Sequence, residues 1–308
     1  RWKINSREYA MNTVYALTTA LLLMTCTMVS HAQQAETAPQ VSTTPIKDGL
    51  FLLQGRGGNV LASVGEDGIL IIDNDYPEYA EAYHQALKSL GGENALPRLV
   101  INTHWHGDHV GGNAYWGERG AVIIAHDNVY QRMSTRQDIK VFNKVVEPSP
   151  RIALPVVTYT DSSLLRFNSE QIELNHFPNG HTDGDSMAFF VNANVVHMGD
   201  HFFKDRFPFI DISSGGNAKQ FTANLKATLE RVDDATVIVP GHGSLANKAD
   251  LQRYLNMLET TSALVTNKLD QGASVDQITE QGLGEEWSSW GQGFIKEALW
   301  IQFIAQSQ

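Results

Sequence analysis

The sequence of 308 residues contains a single cysteine, Cys26. No intrachain disulfide can form, and no CxxC redox or metal motif is present. Also missing is a Gly-x-Ser-x-Gly elbow, the strand-to-helix turn that exposes the serine of α/β-hydrolases. Positive charge is scarce: 23 Lys+Arg stand against 34 Asp+Glu, a net charge of −11. Phosphate backbones are gripped by clustered Lys and Arg, so this balance excludes nucleic acid as a partner and points to a small-molecule substrate. Beyond residue 32 no apolar run approaches the roughly 20 residues of a membrane span.

The one long apolar stretch, residues 14–29, follows Arg1, Lys3 and Arg7 and ends at Ser30-His31-Ala32. A basic start, an apolar centre and a small-x-small end read as a signal peptide over residues 1–32. Its removal would leave a periplasmic or secreted protein with no stable membrane anchor and no cysteine. Residues 33–45 (QQAETAPQVSTTP) are polar and read as a flexible linker. Residues 46–308, in a chain that is 42% hydrophobic, are ample for one catalytic domain.

What the chain does have is His104-Trp105-His106-Gly107-Asp108-His109, inside VINTHWHGDHVGG. Neutral imidazole and carboxylate are ligands that zinc takes, and three imidazoles beside one carboxylate point to a metal. Two residues apart on extended backbone, His104 and His106 project to one side and can grip one ion. Asp108 and His109, further round the turn, are then free to reach a second. The preceding Arg98–Thr103 segment reads as a buried strand, and Gly111-Gly112-Asn113 as a turn after the cluster. The cluster thus sits at a strand's C-terminal end, a usual place for chemistry in α/β folds. Three more candidate ligands follow apolar runs and stand near glycine: His181 after Asn179-Gly180, Asp200 after Gly199, and His242 between Gly241 and Gly243.

This His-x-His-x-Asp-His run, followed by a spaced His, Asp and His, resembles the metallo-β-lactamase superfamily over residues 46–246. The resemblance implies an αββα sandwich of two mixed β-sheets flanked by helices, an α/β fold. It places His104, His106 and His181 on one zinc and Asp108, His109 and His242 on a second, two per subunit, with Asp200 bridging or on the second side. It implies a zinc-dependent hydrolase that attacks with a metal-bound hydroxide, with Asp108 as the catalytic group that orients it. An exported β-lactamase, with a role in antibiotic resistance, is the first reading. A thioester or lactone hydrolase resembling glyoxalase II is the second, and a non-catalytic zinc-binding accessory protein the third. One departure matters: Asp200 stands where the best-known clinical lactamases carry a cysteine.

The order of elements agrees with a two-sheet sandwich. Strands are expected at Leu50–Gln54, Val60–Val64, Ile69–Asp73, residues 98–103 and Ala121–Ala125. Further strands follow at Ser163–Phe167, Gln171–His176, Ser186–Val191, Val195–Met198 and Thr236–Val239. Helices are expected at Tyr79–Leu90, near residues 112–117, from Asp127, and at Ala218–Val232, Ala249–Leu269 and Phe294–Ala305. Lys204 and Arg206, just past Asp200, could pair with a substrate carboxylate or be ordinary loop charges. Trp105 could line the pocket or simply pack. Phe202, Phe203, Phe207 and Phe209 could wall the pocket or pin the loop. His201, next to Asp200, could be taken as an eighth ligand, but adjacent side chains diverge, so it is expected either behind the ligands or at the surface. His84, His126, His176 and His197 fit no ligand spacing. By the resemblance, specificity rests on residues 51–60 and 201–216.

Overall fold

The computed structural model describes residues 38–308; the expected signal peptide, Cys26 and the first part of the linker lie outside them. Seven strands make one sheet in the order β1-β2-β3-β4-β5-β6-β9. They are β1 (Ser42–Lys47), β2 (Leu50–Gln54), β3 (Val60–Gly65), β4 (Gly68–Ile72), β5 (Pro97–Asn102), β6 (Val122–His126) and β9 (Val157–Tyr159). Strands β1 to β4 pair antiparallel, and β4, β5, β6 and β9 run parallel. The short strands β7 (Gln137–Ile139) and β8 (Lys144–Val146) form a separate ribbon. The second sheet is β10 (Ser162–Phe167), β11 (Glu170–His176), β12 (Ser186–Phe190), β13 (Val195–His197) and β14 (Val237–Val239). It is antiparallel except for the final parallel pair.

Three apolar layers hold these sheets. Between them, Leu52, Leu61, Leu70, Ile72 and Ile101 meet Ile172, Leu174, Phe190 and Val239. The outer face of the first sheet is covered by helix α1 (Ala80–Gly91), which buries Ala80, Tyr83 and Leu87 on one stripe. After α1 come two short helices, α2 (Gly107–Val110) and α3 (Asn113–Gly117), and then α4 (Asp127–Ser134). The outer face of the second sheet lies under α5 (Ala218–Arg231), α6 (Lys248–Asp270), α7 (Val275–Gln281) and α8 (Glu297–Gln306). Asn217 caps α5, and an Asn247–Asp250 capping box starts α6. Since helices cover both sheets, central strands such as β12 are buried at every residue and carry no polar alternation. No described helix is long and apolar enough to cross a membrane.

Helices outside two mixed sheets bear out the expected αββα architecture. The expected strands and helices are present, most with ends shifted by one to three residues. One boundary needs correction. Ser42–Pro45, expected as the end of a flexible linker, belong to β1, paired with Phe51–Gln54. An edge strand needs hydrogen bonds on one side only, and β1 leaves its side chains largely exposed. It therefore has no apolar alternation to betray it, and Pro45 is tolerated at the edge. The β7–β8 ribbon, β9 and α7 were not anticipated either.

Candidate metal centre

Strand polarity gathers the candidate ligands. The segment 103–109 leaves the C-terminal end of β5, Asp200 follows β13, and His242 follows β14. β11 runs parallel to β13, so the loop carrying His181 leaves the same end of the second sheet. Backbone hydrogen bonds sew these loops together: Ser186 N donates to Thr103 O (2.8 Å), Gly241 N to Gly199 O (2.8 Å) and Asp211 N to His181 O (2.9 Å). The cluster itself is more curled than an extended loop. His106 has extended backbone at the N-cap, and Gly107–Val110 make one helical turn, closed by His109 N to His106 O (2.9 Å). That turn swings Asp108 and His109 away from His104 and His106.

Two donor groups result: His104, His106, His181 and Asp200, and Asp108, His109 and His242, the donor atoms of each within 4.8 Å of one another. Asp200 joins them. Its Oδ2 lies 3.5 Å from His181 Nε2 and 3.8 Å from His104 Nε2, while Oδ1 lies 3.1 Å from His109 Nε2 and 3.4 Å from His242 Nε2. All seven predicted ligands converge, with Asp200 presenting one oxygen to each group. Asp108 and His242, with side chains 22% and 20% exposed, form the open side.

The far nitrogens are fixed, which decides the near ones. His109 Nδ1–H donates to Asp73 Oδ2 (2.7 Å), His181 Nδ1–H to Phe209 O (2.7 Å) and His106 Nε2–H to Asp211 Oδ2 (3.1 Å). Thr103 Oγ1 accepts from His104 Nδ1 (3.0 Å) and donates to Asp73 Oδ2 (2.7 Å). Orienting partners of this kind commonly set the tautomer of metal-binding histidines. They leave the lone pairs of His106 Nδ1 and His181 Nε2 facing each other at 2.8 Å, a repulsive arrangement unless a cation sits between. His104 Nε2, His109 Nε2 and Asp200 Oδ1 are also buried without a hydrogen-bond partner. Orphaned donor atoms are costly, and a metal would satisfy them all. The residues fit such a group.

Electrostatics agree. Burial holds His104 well below the usual imidazole range and pushes His181 down to about 4. Burial also opposes charge on His109 and His242, but there it is outweighed. Asp200, Asp108 and Asp73 hold His109 well above its ordinary value, and Asp200 with Asp108 raises His242 to about 9. Burial resists ionisation of Asp108 and Asp200 too, yet the cations of His109 and His242 hold both carboxyls well below the usual range. Without metal, protons on His109 and His242 balance the two carboxylates. Metal binding would displace those protons, so affinity should rise with pH.

Glycine is required where backbone meets the ligands. A Cβ on Gly58 would lie 2.2 Å from the His109 ring, and one on Gly241 2.1 Å from Asp200 Oδ1. Gly58 belongs to the β2–β3 loop, where Asp75 accepts from the amides of Arg56 (2.9 Å) and Gly57 (2.8 Å) and from Tyr83 (3.0 Å).

The expected substrate-binding residues fare differently. Lys204 is withdrawn: its Nζ donates to Leu245 O (2.7 Å) and pairs with Asp250 Oδ2 (3.1 Å). Arg206 directs Nε to the Lys204 carbonyl (3.3 Å) and stands against Gly293. Neither cationic group is paired with a ligand side chain: Lys204 meets His242 only through its backbone, N donating to His242 O (3.1 Å), while both side chains are carried toward α6 and the 293 loop. Trp105 is buried against His106, ring centroids 4.8 Å apart. Phe203 stacks on His242 at 5.4 Å and Phe209 on His106 at 5.5 Å, whereas Phe202 and Phe207 pack on Tyr254 and Trp300.

His201 is no ligand. It is buried, stacks on Phe221 at 5.1 Å, and has Nε2 3.1 Å from Asn224 Nδ2. Burial, with His181 adding to it, pushes its imidazole down to about 3. An unfolded histidine titrates near 6.5. The folded state therefore binds fewer protons between these values, and stability from this group is present above pH 6.5 and lost as pH falls toward 3. Urea denaturation of the metal-free protein should show His201→Asn losing about 2 kcal/mol less than wild type between pH 6.5 and 5. Equal losses would mean that His201 is not held neutral.

Asp73 and Asp211 escaped the sequence reading. Asp211 accepts from Ser213 Oγ (2.5 Å), Ser214 Oγ (2.6 Å) and Ser214 N (3.2 Å) as well as from His106. Only its place in Asp-Ile-Ser-Ser hinted at a capping role. Asp73, at a positive φ of 62° at the end of β4, had only its strand-end position as a signal.

Helix-flanked sheets with a histidine–aspartate centre at their shared edge define a class of metal-dependent hydrolases. The chain belongs to the metallo-beta-lactamase superfamily, whose model matches residues 54–242, from the end of β2 to the last ligand. It is an enzyme of the hydrolase class found there. It is similar to the 2,4-dinitroanisole O-demethylase subunit alpha of Nocardioides sp. (strain JS1661), at 22% identity over 247 residues, 80% of this chain and 70% of that protein. The acyl-coenzyme A thioesterase MBLAC2 of Bos taurus is 24% identical over 225 residues, 63% of this chain and 78% of that one. Among solved structures, a metallo-beta-lactamase from Pontibacter korlensis shares the fold with a TM-score of 0.56 and 16% identity, over 71% of this chain and 99% of that chain.

Proposed function

We propose that the protein is a zinc-dependent hydrolase of thioesters or lactones, with two zinc ions per subunit. The observation carrying this reading is Asp200, a carboxylate with one oxygen toward each donor group. Zinc held there would supply Lewis acidity toward a carbonyl and make water acidic enough to ionise near neutral pH. Asp108, anionic and on the open side, is placed to hold a proton from water. His106 and His109 are locked in orientation by Asp211 and Asp73.

Within the hydrolase class, the state of Lys204 separates the two leading substrate readings. A β-lactam presents a carboxylate, and the cation expected to grip it is spent on Asp250. A thioester or lactone need present none. One relative, the acyl-coenzyme A thioesterase of Bos taurus, is named for cleavage of a thioester. Export to the periplasm or the medium is part of the same proposal, and N-terminal sequencing of the protein recovered from that fraction tests it.

The deciding experiment is a panel on the zinc-loaded protein: a thioester, a lactone, a penicillin, a cephalosporin and a carbapenem, each with and without chelator. Chelator-sensitive turnover is expected, with kcat/KM for the thioester or lactone at least about tenfold above any β-lactam. The reverse order would restore the β-lactamase reading.

A further inference from the structure

A row of aromatic rings leads from the ligands to solvent. Phe209 is buried, lies over His106 with ring planes 22° apart, and sits 5.4 Å from His181. Phe142, at the turn of the β7–β8 ribbon, is centred 5.0 Å from Phe209. Phe294, in the loop before α8, is centred 4.9 Å from Phe142 and is 71% exposed. Val141 and Val145 of the ribbon are exposed as well. Singly exposed apolar residues mean little, but a contiguous apolar surface marks a binding face. Here the exposed Phe294, Val141 and Val145 are connected to the ligand His106 through half-buried Phe142 and buried Phe209.

Resting on the thioester or lactone reading above, we infer that the Phe209–Phe142–Phe294 row is the subsite for an uncharged apolar arm on the acyl side of the substrate. Contact of Phe209 with two ligands places the inner end of such an arm beside the reacting carbonyl. The arm then extends past Phe142 and ends against Phe294. Apolar surface gains from being covered in proportion to its area, so the exposed ring of Phe294 contributes only to arms long enough to reach it. Phe142 contributes to shorter arms also.

The test is a homologous series of thioesters, from acetyl through butanoyl and hexanoyl to octanoyl and decanoyl, with the zinc-loaded full chain. In the wild type, kcat/KM should rise up to about fourfold per added methylene, the gain expected for a buried CH₂. Phe142→Ala should flatten the rise from butanoyl onward, and Phe294→Ala only at its long end. Phe294→Trp, which keeps an aromatic face, should retain it. In parallel, calorimetry of the matching fatty carboxylates measures arm binding without turnover. Turnover that does not change with chain length, or a rise that Phe294→Ala leaves unaltered, overturns the subsite and leaves the hydrolase reading intact. Carboxylate binding that tightens with length and weakens in Phe294→Ala, with no thioester turned over, keeps the subsite and removes the thioester reading. If binding is also independent of length, the row is packing alone and the inference is wrong.

Discussion

Asp200→Ala is expected to dismantle the metal centre from the middle, reducing zinc affinity at both donor groups by at least about 100-fold. Loss of a mere orienting partner already costs 10- to 100-fold, and Asp200 faces four imidazoles at 3.1 to 3.8 Å. Without it, the first group keeps three histidines and no anion, and the second keeps only Asp108 to balance an ion. Asp200→Asn should be milder and more informative. Its amide has one acceptor oxygen where the carboxylate has two, so it can serve one group but not both. Elemental analysis after competition with a graded chelator should give two zinc ions in the wild type, about one in Asp200→Asn, and less in Asp200→Ala. The thermal midpoint of zinc-loaded Asp200→Ala should fall to that of chelated wild type. Two tightly held ions in Asp200→Ala would sink the bridging role.

The ligands were legible in the sequence because their chemistry is local. His104 to His109 lie within one turn of chain, and the remaining three each end an apolar run. What orients them was not legible, because that depends on which loops meet. Asp73 reaches His109 only because β4 and β5 are parallel neighbours, which brings the end of β4 under the cluster. Asp211 reaches His106 only after the 201–216 loop folds back, an amide of that same residue meeting the His181 carbonyl. The same limit explains Lys204. Its position just past a ligand suggested an anchor for substrate, and nothing nearby in sequence revealed Asp250 at the start of α6 as its partner. The fold was readable in its buried strands for a related reason: a strand covered on both faces is continuously apolar. The edge strand β1 and the β7–β8 ribbon, held by backbone pairing with many side chains exposed, offered no such pattern.

Asp108→Ala is expected to lower kcat by about 10²- to 10⁴-fold, the range for losing a positioned acid–base group, while leaving the fold intact. The side chain lies partly exposed at the open side of the centre, and its backbone carbonyl, which accepts from Gly58 N at 3.0 Å, survives the substitution. Circular dichroism should therefore change little, while the denaturation midpoint of the metal-free protein should fall, since the charged His109 and His242 lose one of the carboxylates that balance them. Because Asp108 is both donor and proton acceptor, alanine alone cannot separate the two roles. Asp108→Asn can: it keeps an oxygen near His242 Nε2, where the carboxylate sits at 3.4 Å, but cannot take up a proton near neutral pH. If proton holding dominates, Asp108→Asn should retain more zinc than Asp108→Ala yet be nearly as slow. If ligation dominates, excess zinc should restore turnover in the asparagine variant. Full turnover in Asp108→Ala would remove this residue from the chemistry and move the task of accepting the proton to Asp200.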